Sequence, residues 1–312
     1  MIYQFIQDHR SEYCVERMCR VLEVSTSAFY NWRTRKPSQR ALKSARLLEE
    51  IRRINKDPKT ESYGSPRMTT ELKSRGIHCN LSQVAKLMRE SGIQSKRKVK
   101  FKITTDSKHK EPISPNLLNQ DFTAQTPNRK WVSDLTYIWT LQGWLYLTII
   151  LDLFDRRIVG WSLSDRMYTE VTTISALEDA VRKECPEPGL VFHSDRGVQY
   201  ADKRIRKLLS KYKMIQSMSG TGNCYDNAVA ESFFKTLKCE LIYKFVFSTR
   251  MAARLKIFEY IDSTYNRFRR HSTLGNLSPW DFLMKYRNQL NKKSSMTSLS
   301  VQFFVGSPPI PS

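Results

Sequence analysis

The sequence predicts a multidomain protein: all-α helix-turn-helix units at the N-terminus, a mixed α/β core, and a C-terminal helical extension. Three observations predict it. Apolar residues recur at helical spacing through residues 13–35 and 42–91, with Ser, Pro and Gly as punctuation. From Lys130 the chain changes to β-branched and aromatic runs separated by short turns. Beyond these runs, helical and strand patterns alternate, as in an α/β layer structure. The 312 residues leave room for two or three domains.

In YCVERMCRVLEVSTSAFYNWRTR, residues 13–35, Val15, Met18, Cys19 and Leu22 share one helix face. Val24-Ser25 breaks that pattern. Ser25 or Ser27 can cap a second helix carrying Phe29, Tyr30 and Trp32. The outline is that of a helix-turn-helix, whose second helix would offer Asn31, Arg33 and Arg35 to DNA. A two-helix packing unit with no DNA role gives the same pattern. Pro37-Ser38 interrupts. Helices over Leu42–Ile54, Ser65–Gly76 and Ser82–Ser91 follow, with Ser82 as a cap and Gly76 and Gly92 as stops, and they suggest a second such unit. Next come KRKVKFK, residues 96–102, and a polar stretch containing Pro112, Pro115 and Pro127. This reads as a basic linker, with Lys96, Arg97 and Lys98 able to lie along phosphates.

KWVSDLTYIWT, WLYLTIILDLF and RRIVGWSLS form a three-strand meander, its nearly apolar middle run the most buried. Thr169–Lys183 reads as a helix, 189–195 as a fourth strand, Asp202–Lys213 as a helix, and MIQSMS as a fifth strand. A turn-rich loop, Gly220–Asn223, precedes a helix containing Glu231, for which Asp226 or Asn227 is the fitting cap. A long amphipathic helix spans Ser248–Tyr265, and the Ser-rich tail reads as weakly ordered. The expected divisions are 1–38 and 39–95 for the two helical units, 96–128 for the linker, 129–245 for the core, 246–290 for the helical extension and 291–312 for the tail.

Lys and Arg number 52 against 30 Asp and Glu, a net charge of +22. The excess is spread through both halves, which points to a polyanionic partner. The longest nearly apolar run, Trp144–Leu151, has eight residues, too few to span a membrane. No signal peptide pattern is present, so a soluble, cytoplasmic protein is expected. The six cysteines lack zinc-finger spacing and read as free thiols.

Three acids stand out from this basic background. Asp134 lies inside a strand, where an unpaired buried carboxylate is costly. Asp195 ends the fourth strand, where an α/β sheet opens to a crevice. On the helix that follows, Val229, Ala230, Phe233, Phe234, Leu237 and Leu241 form the apolar side, while Glu231, Lys235 and Lys238 share the other. Each acid has a plainer role open to it: an Arg partner for Asp134, a turn or cap for Asp195, an exposed ion pair with Lys235 for Glu231. If strands one and four run parallel, however, the acids converge. Three converging carboxylates call for hard cations such as Mg²⁺ or Mn²⁺, and two such ions suit displacement at phosphorus. His193 suits a structural or a phosphate-contacting role, and Asp152 and Asp155 read as turn acids.

Asp195 follows Asp134 by 61 positions, and 35 residues separate it from Glu231. With WVSDLTYI, HSDRGVQYAD, MSGTGNCYDNAVAESFFKTLK and YNRFRRHSTLGNLSP, this spacing resembles the OrfB-type transposases of bacterial insertion-sequence family three, within the retroviral-integrase-like DDE recombinases. MCRVLEVSTSAFYNW and YGSPRM resemble that family's helix-turn-helix segments, so the resemblance covers residues 3–286. It implies an RNase H-like core, catalysis by Asp134, Asp195 and Glu231 with two Mg²⁺ or Mn²⁺ ions, and cleavage at element ends followed by 3′-OH strand transfer into target DNA. It further implies a homo-oligomer on DNA, nucleoid association, and an upstream reading frame that supplies a partner or fusion. Lys238, with Lys235 as rival, would contact the terminal nucleotide. Arg269 and His271 in the C-terminal motif are equally suited to DNA contact and to packing. Glu23 stands where the family has Gly, so a differently shaped turn is expected there, and Asn276 replaces an aromatic residue. Two other functions remain open at this point: an inactive DNA-binding regulator and an RNase H-like nuclease.

Overall fold

The computed structural model describes residues 1–95, 111–220 and 224–304. Lys96, Arg97, Lys98, residues 221–223 of the turn-rich loop, and the last eight residues lie outside them.

The first unit has three helices: α1 (Ile2–Asp8), α2 (Val15–Val21) and α3 (Thr26–Thr34). Ile6, Met18, Cys19 and Phe29 form its small core. Ser25 caps α3 by accepting from the Ala28 N–H at 3.3 Å. The turn before it keeps the left-handed shape despite its side chain, because Glu23 has φ 54°. The expectation of a differently shaped turn is therefore corrected: the helix-turn-helix packing imposes a conformation that costs a non-Gly residue about 1 kcal/mol or more.

The second unit comprises α4 (Gln39–Lys56), α5 (Ser65–Ser74) and α6 (Leu81–Glu90). Leu47, Ile51, Ile54, Met68, Leu72, Val84 and Met88 fill its core. Helices α5 and α6 stop at Gly76 and Gly92, both at positive φ. The cap of α6 is Asn80, whose side chain accepts from the Gln83 N–H at 2.8 Å, rather than Ser82. The helix starts two residues earlier than a Ser82 cap would set it, and Asn caps as well as Ser.

The core is a five-stranded sheet ordered β3-β2-β1-β4-β5, built from β1 (Lys130–Thr140), β2 (Gly143–Asp152), β3 (Ile158–Ser164), β4 (Val191–Ser194) and β5 (Ile215–Met218). The first three strands are antiparallel, and β4 and β5 run parallel to β1. A π-helical turn over Glu170–Ile174 leads into α7 (Ser175–Glu184), which with α8 (Val198–Ala201) and α9 (Lys203–Lys211) covers one face of the sheet. Helices α10 (Ala228–Glu240) and α11 (Arg250–Glu259) cover the other, packing on Val132, Ile138, Leu145, Leu147 and Ile149. A π-helical turn, Tyr260–Asn266, follows α11, and α12 (Pro279–Phe304) runs into the stretch expected to be weakly ordered. The largely exposed residues 111–128 run along the core surface and are anchored to it: Leu118 is buried in the core and the Leu117 N–H donates to Ser217 Oγ at 2.9 Å. The five described cysteines among the six, Cys14, Cys19, Cys79, Cys185 and Cys239, are free thiols. No described helix is long and apolar enough to cross a membrane.

Candidate active site

Ser133 faces Ser194 at the last step of the parallel β1–β4 ladder. Asp134 and Asp195 come next in each strand and so lie side by side where β4 ends and β1 continues. Side chains alternate along a strand, so Asp134 shares the α10 face with Val132 and Ile138. Helix α10 buries Ala230, Phe233, Phe234 and Leu237 against that face, which brings Glu231 and Lys238 over the sheet edge. Sequence periodicity and the parallel pairing together produce the convergence.

The electrostatics match this placement. Burial, followed by the nearness of Asp195 and then of Glu231, pushes the Asp134 carboxyl well above its usual range, although the Leu135 N–H donates to it at 2.8 Å. Burial and the nearby Asp195 also raise Glu231. The Lys238 ammonium is lowered by burial and partly held up by Asp134. Asp195 Oδ1 accepts from the Gly197 N–H at 2.9 Å, a tight turn in which a Cβ on Gly197 would come within 3.0 Å of that same oxygen. Asp195 is thus a turn residue and an edge acid at once.

Of the residues singled out from the sequence, Asp134, Asp195, Glu231 and Lys238 come together. Lys235 is exposed on the outer side of α10. Asn31, Arg33 and Arg35 are exposed on or just after α3, on a separate unit. His193 is buried between Ser217 Oγ at 2.8 Å and Ser219 Oγ at 3.3 Å, and burial lowers it to about 4; its position is structural. Asp152 and Asp155 are buried turn acids that accept backbone N–H groups. Arg269 is buried on Glu240, at the end of α10.

Beneath the site, Tyr200 was missed in the sequence, and Asp226 and Asn227, expected there as alternative caps of α10, bond elsewhere with their side chains. Tyr200 donates or accepts a 2.9 Å hydrogen bond with Ser133 Oγ, and the nearness of Asp134 and Asp195 adds to burial in raising its phenol. Asn227 takes the N-cap position of α10 without capping it; its side chain donates instead to the Ser133 carbonyl at 3.2 Å and pins the helix start to β1. Asp226 accepts from Gly220 N–H at 2.7 Å and from Asn116 at 3.0 Å, holding the loop before α10. The only signal for Tyr200 was its place in HSDRGVQYAD, beside Asp195.

All three acids offer hard oxygen donors, and their mutual repulsion in a buried setting favours a divalent cation. Among the described residues, no three His, Cys, Asp or Glu side chains already stand at ligand distance from one point. The carboxyls converge without forming a closed cage.

Family models for the integrase core domain match residues 124–224 and 231–290, and one for an HTH-like domain matches 43–101. Fold and edge site thus define an integrase-core protein with helix-turn-helix units in front. The 31 kDa protein of insertion element IS600 from Shigella sonnei is 45% identical over 269 residues, covering 86% of this chain and 98% of that protein. The transposase InsF of insertion sequence IS3A from Escherichia coli K12 is 39% identical over 288 residues, covering 90% and 98%. The chain belongs to the IS3 family of insertion-sequence transposases. Among solved structures, a chain of the simian T-cell lymphotropic virus intasome in complex with PP2A regulatory subunit B56 gamma aligns with 72% of this chain and 74% of its own, at 14% identity and a TM-score of 0.43.

Proposed function

We propose that the chain cuts DNA at the ends of its insertion sequence and joins the freed 3′-OH to a new site, with Asp134, Asp195 and Glu231 as its catalytic carboxylates. The observation that carries this reading is the side-by-side exit of Asp134 and Asp195 from the parallel β1–β4 pair, with Glu231 and Lys238 of α10 above them. Asp134 and Asp195 would hold one Mg²⁺ or Mn²⁺, and Asp134 with Glu231 a second; when bound, such ions supply Lewis acidity that stabilises charge developing at phosphorus. The protein's own part is positional. Ser133, Tyr200 and Asn227 fix the β1 edge and the start of α10, which sets the spacing of the carboxylates. Lys238, already beside Asp134, binds a phosphate or base edge of the terminal nucleotide; an ammonium donates only and so takes no ligand role.

The second helical unit, with Asn31, Arg33 and Arg35 on the first unit and Lys96, Arg97 and Lys98, contacts the terminal repeats and their backbone. Two copies on DNA hold two ends together, and the product of an upstream reading frame, alone or fused, supplies further pairing elements. A terminal-repeat duplex incubated with the full chain and Mg²⁺ tests the reading: it predicts a nick at the element boundary and joining of that strand to a second duplex. Binding without any nick would favour the regulator instead.

A further inference from the structure

The geometry points to Glu71, Arg270, Arg67 and Glu240 as positioning residues that fix the distance from the second helix-turn-helix unit to the catalytic carboxylates and so select which phosphodiester is cut. The inference rests on the function proposed above.

Helix α5 has two packed sides. Met68 and Leu72 turn into the unit's own core, against α4 and α6. Arg67, Glu71 and Ser74, spaced four and three residues apart, face the catalytic domain instead. Glu71 Oε2 accepts from Arg270 Nε at 3.0 Å and Nη2 at 2.9 Å, across 199 residues of sequence. The same guanidinium donates to Ser74 Oγ at 3.0 Å and to the Asn276 carbonyl at 3.2 Å, so it bridges α5 and the loop before α12. One turn earlier, Arg67 lies 3.8 Å from Glu240. Glu240 is the last residue of α10, the helix that carries Glu231 and Lys238. Lys244 pairs with Glu61, and the Lys59 ammonium sits 4.4 Å from the centre of the Phe268 ring.

These contacts differ from the chain's surface ion pairs. Arg270 and Glu71 keep only 21% and 15% of their side chains exposed, whereas Lys86 and Glu90, an ordinary helix-surface pair, keep 71% and 57%. Exposed pairs are screened and hold little. A half-buried, doubly bonded guanidinium resists both solvent and displacement.

A fixed docking matters because the cut is registered to single base pairs. A residue can extend by about 3.5 Å, close to the ~3.4 Å between successive base pairs. Each residue of slack between reader and cutter would therefore amount to about one base pair of error. Through α5 the unit is held on both sides, and a repeat bound by it lies at one distance from Asp134.

The test uses the full chain, Mg²⁺ and an end-labelled terminal-repeat duplex, with cut positions mapped to the nucleotide in a single turnover. Wild type should cut at one phosphodiester. Glu71→Arg and Arg270→Glu should spread cutting over neighbouring positions and lower the correct cut at least about tenfold, because each sets like charges together. End affinity should stay within about threefold, since that repulsion lies at the interface rather than on the DNA-reading helices. The double variant, Glu71→Arg with Arg270→Glu, should recover a sharp cut. If Glu71→Arg fails to fold, Glu71→Gln takes its place, and partial spreading is expected. A wild-type pattern in the single variants, or no recovery in the double, overturns the positioning role while leaving the proposed function intact. Absence of any wild-type cut would instead overturn the proposed function.

Discussion

Replacing Arg269 with Ala should destabilise the folded protein by about 3–5 kcal/mol, the range for removing one partner of a buried ion pair. The structure supplies the reason. Arg269 is 8% exposed. Its Nε lies 3.1 Å from both oxygens of Glu240, and its Nη2 lies 3.4 Å from Thr236 Oγ1. The Glu240 side chain is only 12% exposed. Without Arg269 it would keep the Tyr260 hydroxyl at 2.7 Å and a distant Arg67 at 3.8 Å, which leaves one carboxylate largely uncompensated. Removing both charges should cost less than removing one, so Arg269→Met with Glu240→Met should recover a good part of the loss. Urea denaturation followed by circular dichroism measures Arg269→Met, Glu240→Met and the double in one cycle, with Arg269→Ala beside them. A residue that contacts DNA and does not support the fold would behave oppositely. A loss below about 1 kcal/mol for Arg269→Ala, the range of an exposed pair, together with a fall in DNA affinity, would refute the packing role.

Lys238→Ala should slow single-turnover cleavage of a terminal-repeat duplex by at least about tenfold, Lys238→Arg should restore part of it, and Lys235→Ala should leave it unchanged, as expected when a charge-assisted contact is lost; normal cleavage by Lys238→Ala would remove Lys238 from the site. His271 is held down to about 2 by burial and by Arg269, Arg67 and Arg156. The folded protein therefore keeps it neutral while the unfolded chain protonates below its ordinary value of about 6.5, so its contribution is full above that pH and falls by up to about 1.4 kcal/mol per unit on acidification. Comparing urea midpoints at two acidic pH values with those of His271→Gln checks this, and parallel profiles would contradict it. Deleting residues 1–38 should leave the core's melting temperature unchanged, whereas deleting 1–95 should lower it by stripping Glu71 from Arg270, while the remaining core keeps weak, salt-sensitive DNA binding; equal melting of the two truncations would count against the docked interface.

The elements whose evidence is local could be read from the sequence. The meander was visible because β2 is one almost unbroken apolar run between turns, and α10 because its apolar side repeats over three turns. Asp134 stood out through its setting, because a carboxylate within a β-branched run has few structural uses, whereas Asp195 and Glu231 stood out chiefly through their spacing from it. Helix α1 was not, being seven residues long without a side-chain cap. Asn80 lost to Ser82 in the sequence because both are good caps two positions apart, and only the backbone decides between them. Tyr200 drew no reading from the sequence, since nothing local says that its hydroxyl reaches Ser133. The docking of the second unit was invisible for a different reason. Glu71 and Arg270 are unremarkable charges in sequence, and their pairing exists only once the whole chain has folded.

The proposed function requires Asp134, Asp195 and Glu231 to act together in chemistry and not in recognition. The most direct measurement follows strand transfer and end binding in parallel for Asp134→Asn, Asp195→Asn and Glu231→Gln, with a terminal-repeat duplex and Mg²⁺. Each variant should bind the end within about threefold of wild type, because the carboxylates donate nothing to DNA, and each should lose both cleavage and joining. Near-normal strand transfer by any one of the three would contradict the account.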